Sequence, residues 1–388
     1  MYPVERTHST SRMRLHPVRD DRHIRCMAHR PLYGHLALRA RLASAWHDGR
    51  LPASLLFSGP RGVGKQRLAL WLGQLLLCER AEHEHLNEPC GTCQHCRYAL
   101  RGVHPDLRWF FPRPRLKDSD ATPDDVAVDL AEAVADRMEA EGLWSSPPGT
   151  EGIYVATTRA VVLRASTRPA MAKRAVFVIG DAERMVSQEG ADQAANAFLK
   201  LLEEPPPGTT IILTTGEPGA LLPTIRSRVV TVRVAPLSRD DMDAFLADPV
   251  VQRRFAGRST DLSLTLGGAP GALLSNDSSV ASFAAARRFL TAALEPSTPS
   301  GTAERVKVAA RQGVAGARGA FSDALDALTV LLHARSQQLV ASGHTSDARR
   351  AAMAIIDVEQ AKIRANGNVS PQLLSAALLG SLHRTLRP

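Results

Sequence analysis

The segment Gly59-Pro60-Arg61-Gly62-Val63-Gly64-Lys65-Gln66 constrains this chain more than any other. It fits G-x-x-x-x-G-K, a loop whose glycines let backbone N–H groups close on phosphate oxygens. Leu55-Leu56-Phe57 before it has the length of a buried strand, and Lys65 to about Cys78 reads as a helix with Leu68, Leu72, Leu75 and Leu76 inward. Strand, glycine loop and helix together are the context a phosphate loop requires. The helix N-terminus adds partial positive charge there, so Gly59, Gly62, Gly64 and Lys65 are the candidate phosphate-binding residues. The next position takes Ser or Thr in a loop that holds magnesium. Here it is Gln66.

The rest of the first 236 residues extends that unit into an α/β fold. Ala175–Ile179 is the clearest further strand, and Thr210–Thr214 and Arg228–Val234 are two more. Asp192–Glu203 between them reads as a helix with Ala195, Phe198, Leu199 and Leu202 inward, stopped by Pro205-Pro206-Pro207. Another helix is expected from Tyr33 to Arg50, with Leu36, Leu38, Leu42 and Trp46 near one face. Apolar strands alternating with helices give a parallel sheet with helices on both faces. Asp181 follows the strand 175–179, where it serves either as an acidic magnesium partner or as a cap for the next helix.

Strand signals stop after Pro236. Residues 237–280 read as a small helical unit and 281–388 as an all-helical domain, with 294–303 as a linker or loop. Inward positions there are Leu325, Leu328, Leu331, Leu332, Leu373, Leu374, Leu378 and Leu379. Residues 112–152 read as an acidic, partly disordered insertion with one helix over Asp125–Glu141. Residues 1–26 read as a basic arm, or as sequence ahead of a true start at Met27. No run of about 18 apolar residues suggests a membrane span.

Cys78, Cys90, Cys93 and Cys96 have the spacing C-x11-C-x2-C-x2-C. Thiolates so close in sequence suit a tetrahedral zinc ion whose four sulfur ligands leave no open position for catalysis. His83, His85, His95 and His104 are alternative ligands, read as solvent-facing, and Cys26 stands apart. Cysteines grouped for metal rather than paired point to a reducing compartment, hence the cytoplasm. The net charge of +9 suits an acidic partner such as DNA, and equally an arginine-rich genome.

These features in this order resemble the AAA+ subunits of bacterial clamp loaders. Leu199-Lys200-Leu201-Leu202-Glu203-Glu204-Pro205-Pro206 is similar to their LLKxLEEPP signature, and Leu222-Pro223-Thr224-Ile225-Arg226-Ser227-Arg228 to their LPTIxSRC segment. The four-cysteine module after the phosphate-loop helix is a shared feature as well. The resemblance covers roughly residues 30–280 and implies three parts: an AAA+ core with its zinc module at 27–236, a helical lid at 237–280 and a helical collar at 281–388. It implies a hetero-pentameric ring with tau/gamma and delta subunits that places a sliding clamp on primer–template DNA, without a membrane. Ser227 and Arg228 would supply an arginine finger to ATP held by a neighbour, and Thr214 or Thr215 would lie near the sensor-1 position.

Three departures separate the chain from the motor subunits of that family. Gln66 replaces the magnesium Ser/Thr, and Ala182 follows Asp181 where a motor has its catalytic Glu. Gly268-Ala269-Pro270-Gly271-Ala272 lacks the sensor-2 arginine. The losses beside an intact Ser227-Arg228 imply the delta-prime type of subunit, with ATP or ADP retention left open and efficient hydrolysis not expected. The alternatives are an active tau/gamma-type ATPase and a zinc-dependent DNA-binding module.

Overall fold

A computed structural model of the chain describes residues 29–116, 121–144, 151–185, 192–255, 268–274, 277–311, 318–365 and 370–387. The basic arm, Cys26, Pro147-Pro148-Gly149 and the stretch Gln188-Glu189-Gly190 lie outside them. Five strands form one sheet in the order β2-β3-β4-β1-β5. They are β1 (Ser54–Ser58), β2 (Leu107–Phe110), β3 (Ala175–Ile179), β4 (Thr209–Thr215) and β5 (Val230–Arg233). Every pairing is parallel. Leu56 sits opposite Leu213 on one side and Thr231 on the other, so β1 is an interior strand, flanked by β4 and the edge strand β5. Parallel strands buried on both faces must be apolar along their length, as Ala175-Val176-Phe177-Val178-Ile179 is.

Helices α1 (Leu36–His47), α2 (Lys65–Leu77), α3 (Glu79–Glu84), α4 (Gln94–Leu100), α5 (Pro123–Glu139), α6 (Val155–Ala165), α7 (Asp192–Glu203) and α8 (Pro223–Arg226) accompany the sheet. In α2 the residues Leu68, Leu72, Leu75 and Leu76 are all buried. In α1, Leu42 and Trp46 are buried but Leu36 is 65% exposed, because the helix starts there and its first turn faces outward. In α7, Phe198, Leu201 and Leu202 are buried while Ala195 is exposed.

In the acidic insertion, where one helix is expected over Asp125–Glu141, α5 spans Pro123–Glu139 and is packed against the core. Thr122 and Asp125 form a reciprocal capping box around Pro123, which stabilises a helix start by about 1 kcal/mol. Val126, Leu130, Ala133, Val134 and Met138 then repeat on one face and are buried in the main core. Arg113 closes the segment from outside, bonding Asp129 at 2.8 Å.

Beyond Val234 the described residues are helical: α9 (Arg239–Leu246), α10 (Pro249–Arg254), α11 (Asp277–Leu294), α12 (Pro299–Arg311), α13 (Arg318–Ala341), α14 (Thr345–Ala365) and α15 (Pro371–Leu386). Helix α11 runs through position 280. Of the stretch 294–303 read as a linker or loop, residues 295–298 do connect two helices, and from Pro299 it is the start of α12, with Thr298 Oγ1 accepting from Gly301 N at 3.2 Å. Leu325, Leu328, Leu332, Leu374, Leu378 and Leu379 are buried here, and Leu331 is partly buried. Leu373, expected inward, is 70% exposed.

Charge ties these helices to the sheet. Arg61 of the phosphate loop bonds Glu217 at 2.6 Å and Asp323 of α13 at 2.7 Å. Behind it, buried Lys362 of α14 lies 2.5 Å from buried Asp326. No helix of the described residues is long and apolar enough to cross a membrane.

Candidate functional site

The phosphate loop leaves the C-terminal end of β1. Gly59 is required there: a Cβ would lie 2.1 Å from the carbonyl oxygen of Val234. Gly62 and Gly64 take positive φ of 79° and 95°, a region that favours glycine. Lys65 is buried and its Nζ donates to the carbonyls of Gly59 and Pro60, each at 2.8 Å. Burial lowers its pKa, opposed by the charges of Glu183 and Asp181. Two further contacts brace the loop. His35 Nε2 is 2.9 Å from the Val63 carbonyl, and the Gly271 N–H donates to Gly62 O at 2.9 Å.

Gln66, Asp181, Thr214 and Thr215 are brought to the same end of the sheet as the loop. Gln66 Nε2 donates to Asp181 Oδ2 at 3.1 Å. The Asp181 N–H donates to Thr214 Oγ1 at 3.1 Å, and Thr215 Oγ1 accepts from Glu217 N at 3.0 Å. Asp181 holds a φ of 50°, a strained value for a side-chain-bearing residue. The 3-10 turn Ala182–Arg184 follows it. There Glu183, one position beyond Ala182, lies within electrostatic reach of Lys65, with Oε1 accepting from Gly216 N at 3.1 Å. Burial, reinforced by neighbouring Asp181, pushes its carboxyl up to about 7.

Two more residues belong to this neighbourhood and carried no signal in sequence. Trp109 of β2 donates its indole N–H to Gln66 Oε1 at 3.0 Å. Arg137 of α5 lies over the rings of Phe111 and Trp109, 3.3 and 4.5 Å from their centroids. Burial lowers its pKa to about 9, against the pull of Asp181.

Arg228 lies elsewhere. It precedes β5, and β5 runs parallel to β1 with Leu55 opposite Val230 and Ser58 opposite Arg233. The phosphate loop follows the far end of β1, so a strand length of about 13 Å separates the two ends. Arg228 Nε donates to Glu203 Oε2 at 2.9 Å and Nη1 to Thr224 O at 3.1 Å. Ser227 is exposed and donates to the Thr224 carbonyl.

The four cysteines converge at the other end of α2. Their Sγ atoms all lie within 4.8 Å of one another, with Cys90–Cys96 at 3.9 Å and Cys93–Cys78 at 4.0 Å. A tetrahedron with bonds of about 2.3 Å has edges of about 3.8 Å, so the set fits zinc. Backbone N–H groups of Ala81 and Cys90 point at Cys78 Sγ from 3.4 and 3.3 Å, and that of Cys93 at Cys90 Sγ from 3.3 Å. Such donors stabilise thiolates. His83 and His85 are exposed as expected. His95 and His104 are not: both are buried, 2.8 Å apart through Nδ1 and Nε2, and His95 reaches Glu79 at 3.2 Å. Their nitrogens are satisfied by each other and by Asp106 N, which donates to His104 Nδ1.

The fold and site define an α/β phosphate-loop protein with an appended four-cysteine cluster that fits a metal ion. The sequence profile described as "DNA polymerase III, delta subunit" matches residues 34–238, more than half of the 388. The chain therefore belongs to the family of bacterial DNA polymerase III clamp-loader subunits that includes delta-prime and gamma/tau chains. It is 30% identical to DNA polymerase III subunit delta' of Bacillus subtilis over 48% of this chain and 44% of that one. It is 28% identical to subunit delta' of Escherichia coli over 67% and 64% respectively. It is 31% identical to subunit gamma/tau of Mycobacterium tuberculosis over 49% and 25%. The chain thus spans less than two thirds of the length of these relatives.

Proposed function

We propose that this chain is a non-motor, delta-prime-type subunit of a clamp loader. In a hetero-pentameric ring with tau/gamma and delta subunits it helps place a sliding clamp on primer–template DNA. Its own ATP hydrolysis is weak or absent, and Arg228, set up by Ser227, serves as an arginine finger for ATP on a neighbouring subunit. The observation that carries this reading is the separation of the two motifs: Arg228 sits at the opposite end of the parallel sheet from Lys65. A guanidinium so placed acts on another chain's nucleotide, where it stabilises charge at the transferring phosphoryl group. Glu203 and the Thr224 carbonyl aim it meanwhile. The helices of 237–280 take the part of a lid and those of 281–388 the part of a collar, and the zinc at Cys78, Cys90, Cys93 and Cys96 is structural.

The test is steady-state ATPase of a reconstituted loader with clamp and primed DNA. The chain alone should show no turnover. Arg228→Ala should fold and assemble but lower turnover at the adjacent site by more than about tenfold. A loader with that variant running at full rate rules out the finger. Clear turnover by the purified chain favours a tau/gamma-type ATPase instead.

A further inference from the structure

The two residues placed to hold a magnesium ion are bonded to each other. Gln66 Nε2 donates to Asp181 Oδ2, and Gln66 Oε1 accepts from Trp109 Nε1. Both ends of the amide are in use. The amide lies flat across Gly180, where a Cβ would meet its Cδ and Oε1 at 2.5 Å and its Nε2 at 2.6 Å. Trp109, Gln66, Gly180 and Asp181 therefore form one interlocked set from three separated segments. A hard divalent cation requires oxygens with free lone pairs in near-octahedral order. An amide N–H laid on the carboxylate, with the amide oxygen turned to an indole, does not fit that ion.

Positive charge is supplied by the protein instead. Lys65 is buried in the loop, within electrostatic reach of Asp181 and Glu183. Helix α5 delivers Arg137 within electrostatic reach of Asp181, its Nη1 sealed from solvent without a hydrogen-bond partner. In an interior of low dielectric such charges act over several ångströms.

We propose that this phosphate loop takes a nucleoside di- or triphosphate as the metal-free anion. Its phosphates lie on Lys65 and the N–H groups opening α2, and the field of Arg137 offsets charge that magnesium would otherwise carry. The inference rests on reading the loop as a nucleotide site, and it gives a physical reason for weak hydrolysis. The ion that stabilises the transferring phosphoryl group in related loops has no seat here.

The experiment is calorimetric titration of the full zinc-loaded chain with ADP and with ATP, in buffers with and without magnesium. No chelator is used, so that the cysteine site keeps its metal. Wild-type affinity should agree within about twofold between the two buffers, a difference under about 0.5 kcal/mol. Gln66→Thr frees Asp181 and offers a hydroxyl, so magnesium should tighten its nucleotide binding about tenfold or more. Magnesium tightening the wild type to that extent overturns the proposal. So does an absence of binding in both buffers, or a Gln66→Thr chain as indifferent to magnesium as the wild type. None of these results touches the Arg228 reading, because loader ATPase measures a neighbour's nucleotide.

Discussion

Helix α2 has a metal-type site at each end, and the two are finished in opposite ways. At its C-terminal end, four thiols face one another with only backbone N–H donors and one hydroxyl directed at them from outside the set. Their lone pairs are free to converge on an ion. At its N-terminal end, the oxygens that would face an ion are already paired, Gln66 with Trp109 and Asp181 with Gln66. One end of the helix is shaped to take a metal and the other is closed by protein. With a metal bound, the stability of the first would depend on an exchangeable component, and that of the second depends on packing that mutation must undo.

The largest effect should come from the cysteine end. Cys96→Ser takes one ligand from a buried set. Zinc binding in small Cys-ligated domains is worth on the order of 10 kcal/mol, and most of it is folding free energy. The variant should lose about one equivalent of zinc in a chromophore release assay. The α3–α4 loop should become protease-sensitive. A fully folded variant without metal would break the contrast at its stronger end.

The two ends also differed in how much the sequence disclosed. The cysteines were legible because tetrahedral coordination demands a fixed residue type at close spacing, and nothing else explains four thiols in 19 positions from Cys78 to Cys96. The phosphate loop, β1, β3 and the span of α7 were legible for a similar reason: apolar runs bounded by Gly and Pro leave few alternatives. The Gln66 set was not, since Trp109, Gly180 and Arg137 come from a strand, a strand end and a helix far apart in the chain. No local pattern marks such a meeting. A helix is expected over Asp125–Glu141, close to the observed α5, but the acidic composition masked that its stripe of Val126, Leu130, Ala133, Val134 and Met138 packs into the core. Thr298-Pro299-Ser300-Gly301 read as a loop, yet a threonine cap followed by proline also starts a helix.

A second, smaller effect tests whether the loop end is held by protein charges. The Glu183 carboxyl titrates near 7 in the folded chain against an ordinary value of 4.5, chiefly through burial. Between those values the folded chain keeps a proton that the unfolded chain has released. Stability should therefore fall as pH rises through this window and level off above it. The loss is about 3 kcal/mol. Glu183→Gln, which mimics the protonated form, should flatten the slope and be the more stable chain above pH 7, as read from urea midpoints of both proteins. Parallel pH profiles would mean that the carboxyl is charged throughout, with Lys65 as its partner.

The smallest effect discriminates most sharply. Gly180→Ala places a methyl group 2.5 Å from the Gln66 amide. The amide is the end of a flexible side chain, so it can swing away, but only by giving up its bonds to Trp109 and Asp181. Two hydrogen bonds lost in this way cost about 1–2 kcal/mol. If the interlock is what completes this end of α2, the cost should nearly vanish in a Gln66→Ala background, where there is no amide to displace. That non-additivity is the signature of direct contact. Additive costs would instead place the strain in the backbone around Asp181, whose φ of 50° already departs from ordinary geometry. In that case the pairing of Gln66 with Asp181 would follow from the backbone, and a threonine at position 66 alone would not restore a magnesium seat.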